Sequence, residues 1–474
     1  MCTSTRITLF LLVLTFALPA TAQTSEDATG PFGLMNHHAD PDVAINADNV
    51  SQLQQAWHVE TDGYVSHVPL VDSNRVYFAD WEGNVYRVAL DSGRVVWKKK
   101  IHEPNKAWPW HGFAGTGLLV PDVEGGDLLI EASVEGVAYG VDAETGEVRW
   151  ERRFVEDPQA GNTSRPLYWD GLVYLGVQSV EEPLSKGKKD FEPDFRGRVL
   201  ALDPATGETA WETVLVEPPH NGASVWSSFA LDPDLGLLYF TTGNNYTGES
   251  TANTDAVIAV EAKTGEIRWV RQTFEDDIWT PDQPLGPDYD FGAGPQLFEA
   301  EIDGQTRRLV GAGQKSGIYW TYDRETGEPV WNHVVSYGSK GGGIHAEAAI
   351  GDSTLYLWGN NSYNYSEPPE DHPVDITAVD VATGERRWAH PKAHPAGITS
   401  AGFLAGDVYL AGSLDGKVRA YRAADGERVW TSEQHGEIAS GLNVVRDMLL
   451  FGTGVPKPFG QREGQGVVAY RLGQ

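Results

Sequence analysis

The chain has 474 residues, of which 36 are Lys or Arg and 67 are Asp or Glu, giving a formal net charge of −31. An acidic excess of that size repels a phosphate backbone and excludes electrostatic binding to nucleic acid. The 53 Gly, 16 Trp, 18 Tyr and 16 Phe, with 22% charged residues, describe a packed, turn-rich globule and exclude a disordered chain.

The first predicted element is a secretory signal over residues 1–22. Arg6 supplies its positive end, residues 7–18 its apolar run and Ala20-Thr21-Ala22 its cleavage site. The run is shorter than the roughly 20 apolar residues of a membrane span, and no second run of that length follows. The expected mature protein, residues 23–474, is therefore periplasmic or secreted. The only cysteine is Cys2, inside the signal, so the mature chain has no disulfide, thiolate metal site, iron–sulfur cluster or covalently attached haem.

Residues 52–61 (QLQQAWHVET) then read as a strand carrying Trp57 with no strand before it. Seven hairpins follow on one pattern, an alternating strand, an acidic turn closed by glycine, and a second strand carrying tryptophan. They end at Trp97, Trp150, Trp211, Trp269, Trp331, Trp388 and Trp430; GVAYGVDAETGEVRW, ending at Trp150, is typical. Two more short β-rich runs precede each hairpin, and four strands per unit is the content of a propeller blade. Residues 466–472 (GVVAYRL) are a third strand without its tryptophan partner. Pairing that strand with the Trp57 strand completes the last blade and predicts a single, closed, eight-bladed all-β propeller. Successive tryptophans are 40, 53, 61, 58, 62, 57 and 42 residues apart. About 40 residues is a bare blade, so the middle blades carry long loops, where binding groups concentrate.

The A-x-D-x-x-T-G-x-x-x-W repeat resembles the tryptophan-docking motif of eight-bladed quinoprotein dehydrogenases, which use pyrroloquinoline quinone (PQQ) and calcium. VYFADWEGNVY, GVQSVEE, FRGRVLALD, TTGNNYT, DYDFGAG and GAGQKSGIYW are similar to the polyvinyl alcohol dehydrogenase-like branch. The resemblance implies roles for individual residues. Glu181 of GVQSVEE and Asn244 of TTGNN match calcium ligands, with Glu182 as the neighbouring alternative; oxygen donors suit that hard cation. Trp226 of SVWSSF matches the floor beneath the quinone, and Lys315 of GAGQKSG the cation at the quinone oxygens. Thr163 of NTSRP and Asn361 of GNNSYN match hydrogen-bond partners of PQQ. The base follows a D-x-W sequence directly in the best-known members, whereas Thr280 follows Asp277-Ile278-Trp279 here. Asp290 is the expected base and a further metal ligand, with Asp288 and Asp277 as alternatives.

Read without the resemblance, Glu181-Glu182 is a solvated loop pair, Asn244 and Lys315 are turn residues, and Trp226 packs a blade. The branch often carries a Cys pair before FRG; Glu192-Pro193-Asp194 stands there instead. An Arg expected near Trp108-Pro109-Trp110-His111 for a quinone carboxylate is also missing, and that segment is a candidate aromatic lid. The resemblance implies oxidation of a small or polymeric alcohol and a separate electron acceptor such as a c-type cytochrome. The competing expectations are a non-catalytic propeller scaffold, similar to an outer-membrane assembly lipoprotein, and a former enzyme that keeps the pocket without activity.

Overall fold

A computed structural model describes residues 32–188, 192–351, 353–361, 374–394, 397–455 and 464–473. The predicted signal lies outside the described residues. Eight antiparallel sheets succeed one another as blades. Blade 1 shows the plan, with strands Leu70–Asp72, Arg75–Ala79, Asn84–Ala89 and Val95–Lys100 from axis to rim. Blades 2 to 7 begin at Leu118–Val120, Leu167–Trp169, Ala230–Asp232, Gln296–Ile302, Ala349–Gly351 and Phe403–Ala405. Blade 8 combines Leu442–Val445, Met448–Thr453 and Gly466–Leu472 with Leu53–Glu60, and Trp57 pairs with Ala469. The predicted fold and ring closure are both present.

Burial explains the strand patterns. A middle strand lies between two neighbouring blades and is buried on both faces, as at Leu128–Ala132 and Met448–Thr453. A rim strand hides little besides its tryptophan: in Val148–Arg153 only Trp150 is buried.

Seven of the eight blade tryptophans dock on the turn of the next blade. The indole N–H of Trp57, Trp150, Trp211, Trp269, Trp331 and Trp388 donates to the carbonyl of Leu90, Pro204, Ala262, Arg324, Val381 and Ala423 respectively, at 2.8–3.2 Å. The turn glycines Gly93, Gly146, Gly207, Gly265, Gly327, Gly384 and Gly426 have φ of +67 to +75°, and a Cβ on any of them would lie 2.6–2.9 Å from the preceding blade's indole. Glycine is therefore required twice, by the backbone and by the ring against it. Trp430 faces blade 8, whose outer pair is not a continuous hairpin, and meets Tyr470 edge-on at 5.7 Å instead.

The N-terminal segment crosses the inner edges of several blades. The carbonyls of Leu34, Met35, His37 and His38 accept the N–H of Leu231, Leu297, Ile350 and Leu404, in blades 4 to 7. Ala39–Asp40 then pairs in parallel with Phe403–Ala405. Because strands alternate in direction, the loop after each second strand and the connector after each fourth strand emerge on the same face of the ring.

Candidate functional site

That shared face carries every residue singled out from the motifs. Glu181 and Glu182 begin the short helix Glu181–Leu184 in the middle loop of blade 3. Asn244 and Lys315 occupy the corresponding loops of blades 4 and 5, whereas Asp277, Asp288 and Asp290 lie on the connector between those blades.

Lys315 is the centre of the group. Its Nζ lies 2.8 Å from Asp288 Oδ1 and 3.0 Å from Asp290 Oδ2, and 5.6 Å from the centre of the Trp226 ring. Its backbone N–H donates to the Asp290 carbonyl at 2.9 Å. Asp290 Oδ1 accepts the Asn244 N–H at 2.8 Å. That approach depends on Gly243, where an added Cβ would sit 3.2 Å from the carboxylate. Both N–H bonds of the Asn244 amide go to the carbonyls of Asn245 and Trp279, at 2.8 Å each, leaving Oδ1 as the atom available to a cation.

Lys315, Asp288, Asp290 and Asn244 are buried, and proton affinities there follow from desolvation and like charge. Burial pushes the Asp288 carboxyl well above the usual carboxylate range; Lys315 opposes that effect and Asp290 reinforces it. Burial lifts Glu182 to about 7, with Lys315 pulling it down and Asp290 pushing it up. Burial also raises Asp277, against the N–H bonds it accepts from Tyr289 at 2.5 Å and Asp288 at 3.0 Å.

Glu181 faces another group. Its carboxylate accepts the Phe195 N–H at 3.0 Å and the Asp194 N–H at 3.5 Å, and burial raises it to about 7. Oxygen atoms of Asp157, Glu181 and Asp194 all lie within 4.8 Å of one another. The neighbouring Glu182 is the glutamate that senses Lys315 and Asp290. Thr163 and Asn361 share the face; Asn361 Oδ1 accepts the Tyr337 N–H at 3.2 Å. Trp108 and Trp110 are half-buried in the connector from blade 1 to blade 2.

Sequence reasoning missed several buried groups. Asp255 is fully buried, with no hydrogen-bond partner for either carboxylate oxygen among the described residues. Burial, then Asp277, Asp290 and Asp288, holds it well above its ordinary range. Burial lowers His345 to about 4, with Lys315 adding to the effect. Arg165, two residues after Thr163, is buried over the Phe32 ring and donates to Asn36 Oδ1 at 3.0 Å. It was legible only as part of NTSRP.

The donor chemistry fits the groups implied by the resemblance. Carboxylate and amide oxygens around one lysine leave negative charge for a hard divalent cation. Beside Trp226, a Cβ on Gly292 would fall 2.8 Å from the His345 Cα and 3.2 Å from the indole, so glycine there lets the connector pack closely against the His345 backbone and the Trp226 ring. Among the described residues, no helix is long and apolar enough to cross a membrane.

Comparison with known proteins agrees with the fold. The chain is 27% identical over 434 residues to a polyvinylalcohol dehydrogenase of a Pseudomonas species, covering 84% of this chain and 66% of that protein. It is also 27% identical over 427 residues to the polyvinylalcohol dehydrogenase of Sphingopyxis sp. strain 113P3, covering 82% and 64%. The chain thus spans just under two thirds of these relatives' length. The solved structure of the quinohemoprotein alcohol dehydrogenase ADHIIG of Pseudomonas putida HK5 shares the fold, with TM-score 0.76 and 19% identity over 93% of this chain and 79% of that one. Residues 372–470 match the outer membrane protein assembly factor BamB family. Residues 38–337, more than half of the sequence and including the whole Lys315 group, match the PQQ-type glucose/ethanol/alcohol dehydrogenase β-propeller domain, and the chain belongs to that family.

Proposed function

We propose that this propeller is a PQQ- and calcium-dependent alcohol dehydrogenase, periplasmic or secreted, that passes electrons to a separate acceptor such as a c-type cytochrome. The observation that carries the reading is Lys315 held between Asp288 and Asp290 beside Trp226, with Asn244 bonded to Asp290. When bound, PQQ supplies an electron-deficient quinone that takes up the electrons of alcohol oxidation, and calcium supplies a Lewis acid.

Asn244 Oδ1, Asp290 and a glutamate of the Glu181-Glu182 pair hold the cation. The motif match favours Glu181, whereas the charges around Lys315 favour Glu182. Trp226 offers a flat apolar floor, and Thr163 and Asn361, on the same face, are the hydrogen-bond partners that the resemblance implies. Asp290, the base expected from the motif, has one oxygen on the Asn244 N–H and the other on Lys315. Asp288 has one oxygen on Lys315, whereas both oxygens of Asp290 are engaged. Asp288 is therefore the better acceptor of the substrate hydroxyl proton, and Asp290 the better cation ligand. Lys315 stabilises negative charge developing beside it. The single cysteine, Cys2, leaves no place on this chain for a covalently bound haem, consistent with an acceptor on another protein.

The test adds PQQ and Ca²⁺ to the purified protein and follows the quinone spectrum, thermal stability and dye reduction across primary, secondary and polymeric alcohols. Stabilisation with turnover is expected. No stabilisation by either ligand overturns the reading in favour of a scaffold, and stabilisation without turnover indicates a former enzyme. In the same assay Glu182→Ala should lose calcium-dependent PQQ retention while Glu181→Ala keeps it. The reverse outcome moves the cation to the Asp157, Glu181 and Asp194 group.

A further inference from the structure

Between Asp277 and Asp288 the chain leaves the site and returns to it. The Ile278 carbonyl accepts the N–H of Leu285 at 3.0 Å and of Gly286 at 2.7 Å, while Thr280 and Gln283 bond each other at 3.1 and 3.3 Å to close the tip. Leu285 is 76% exposed. A side chain joins the two ends: Asp277 Oδ1 accepts the Asp288 N–H at 3.0 Å, and Oδ2 the Tyr289 N–H at 2.5 Å. Asp288 itself lies in the left-handed region at φ +64°, a conformation that side-chain-bearing residues adopt as single positions supported by their surroundings. Gly286 makes the junction possible, because a Cβ there would fall 2.1 Å from Asp277 Oδ1.

We propose that Asp277 is a positioning residue: it fastens the returning end of this excursion and so sets Asp288 against Lys315. The inference deepens the dehydrogenase reading and rests on its assignment of Asp288. It also accounts for the interrupted motif. Asp277-Ile278-Trp279 is followed by an excursion rather than by the base, and the buckle brings an aspartate back beside the motif. The identity of the tip is then immaterial to the chemistry, but the buckle is not. Asp277 acts through the Asp288 backbone, and a displacement of about 1 Å at a reacting group costs on the order of 100-fold in rate.

The experiment compares Asp277→Ala, Asp277→Asn, Gly286→Ala and Leu285→Ala with the parent protein loaded with PQQ and Ca²⁺. It measures steady-state kinetics on the best alcohol and amide hydrogen exchange at residues 288–289 without substrate. Asp277→Ala should lower kcat about 100-fold with KM little changed and speed exchange at Asp288 and Tyr289. Asp277→Asn, which keeps one acceptor oxygen, should recover part of both. Gly286→Ala should reproduce the loss without touching the carboxylate chemically, so the inference stays testable if Asp277→Ala does not fold. Leu285→Ala should behave as the parent. Parental kcat in Asp277→Ala and Gly286→Ala, or a loss confined to KM, overturns the proposal. If the parent oxidises no alcohol, the dehydrogenase reading fails and exchange alone decides the buckle: slow in the parent and fast in the variants supports it, and equal rates reject it.

Discussion

Glu131 lies in the middle strand Leu128–Ala132 of blade 2, buried and pressed against Gly117, where a Cβ would come within 2.4 Å of Oε1. Its Oε2 has no hydrogen-bond partner among the described residues, and burial alone pushes the carboxyl up to about 8. Folding therefore favours the protonated form. The favourable contribution is complete below the unfolded-state pKa of about 4.3 and disappears as pH rises toward 8. A shift of more than three units corresponds to roughly 4–5 kcal/mol at about 1.4 kcal/mol per unit. Glu131→Gln should gain stability over the parent progressively between pH 5 and 8, as measured by urea unfolding at both values. A difference independent of pH would remove Glu131 as the cause. This residue had no motif to announce it, and the same limit applied at the site. GVQSVEE located a pair of glutamates, but successive residues on a helix point about 100° apart. Which of Glu181 and Glu182 faces Lys315 depends on the rotation of one helical turn, which no local pattern encodes. In sequence Asp290 is preferred over Asp288 and Asp277 on the resemblance alone, because their roles depend on a fold-back across the excursion.

The repeated hairpin was legible because each of its positions has a local reason. In blade 2, Asp142 Oδ1 accepts the backbone N–H of Thr145 at 2.8 Å and its hydroxyl at 2.9 Å, while Gly146 supplies positive φ against Trp97. Two glycines separate the backbone requirement from the contact. Gly171 has φ +82° with nothing within 4 Å of an added Cβ, whereas Gly207 has φ +69° and a Cβ there would lie 2.6 Å from the Trp150 ring. Gly171→Ala should cost about 1–2 kcal/mol, the penalty of the left-handed conformation alone. Gly207→Ala should cost that plus a further 1–3 kcal/mol, roughly, for overpacking. Denaturant unfolding of both variants measures the difference, and equal losses would mean that the docked indole yields freely. The N-terminal segment was not legible by comparison. Its described strand, Ala39–Asp40, is two residues long, and its partner strand begins at Phe403.

At the scale of the whole ring, counting tryptophans predicted eight blades and the closing strand, since closure needs only one unpaired strand at each end of the array. The state of the axis was beyond such counting. Innermost strands are sheet edges facing the channel, and an unpaired buried N–H costs about 1–3 kcal/mol. In blades 4 to 7 the carbonyls of Leu34, Met35, His37 and His38 cover those edges at Leu231, Leu297, Ile350 and Leu404. Asn36 adds side-chain ties to the Pro295 carbonyl and to Arg165, and Ala44 anchors the segment to the Arg446 carbonyl of blade 8. A chain beginning at Asn46 keeps Leu53–Glu60 and hence the closed ring, but exposes the inner edges. Its amides at Leu231, Leu297, Ile350 and Leu404 should exchange faster than in the longer chain, while the Leu70–Asp72 edge of blade 1, which takes no backbone hydrogen bond from the segment among the described residues, should be unchanged. Thermal unfolding should move to lower temperature. Unaltered exchange at all four amides would mean that the strands hold their own edges and the segment merely lies against them.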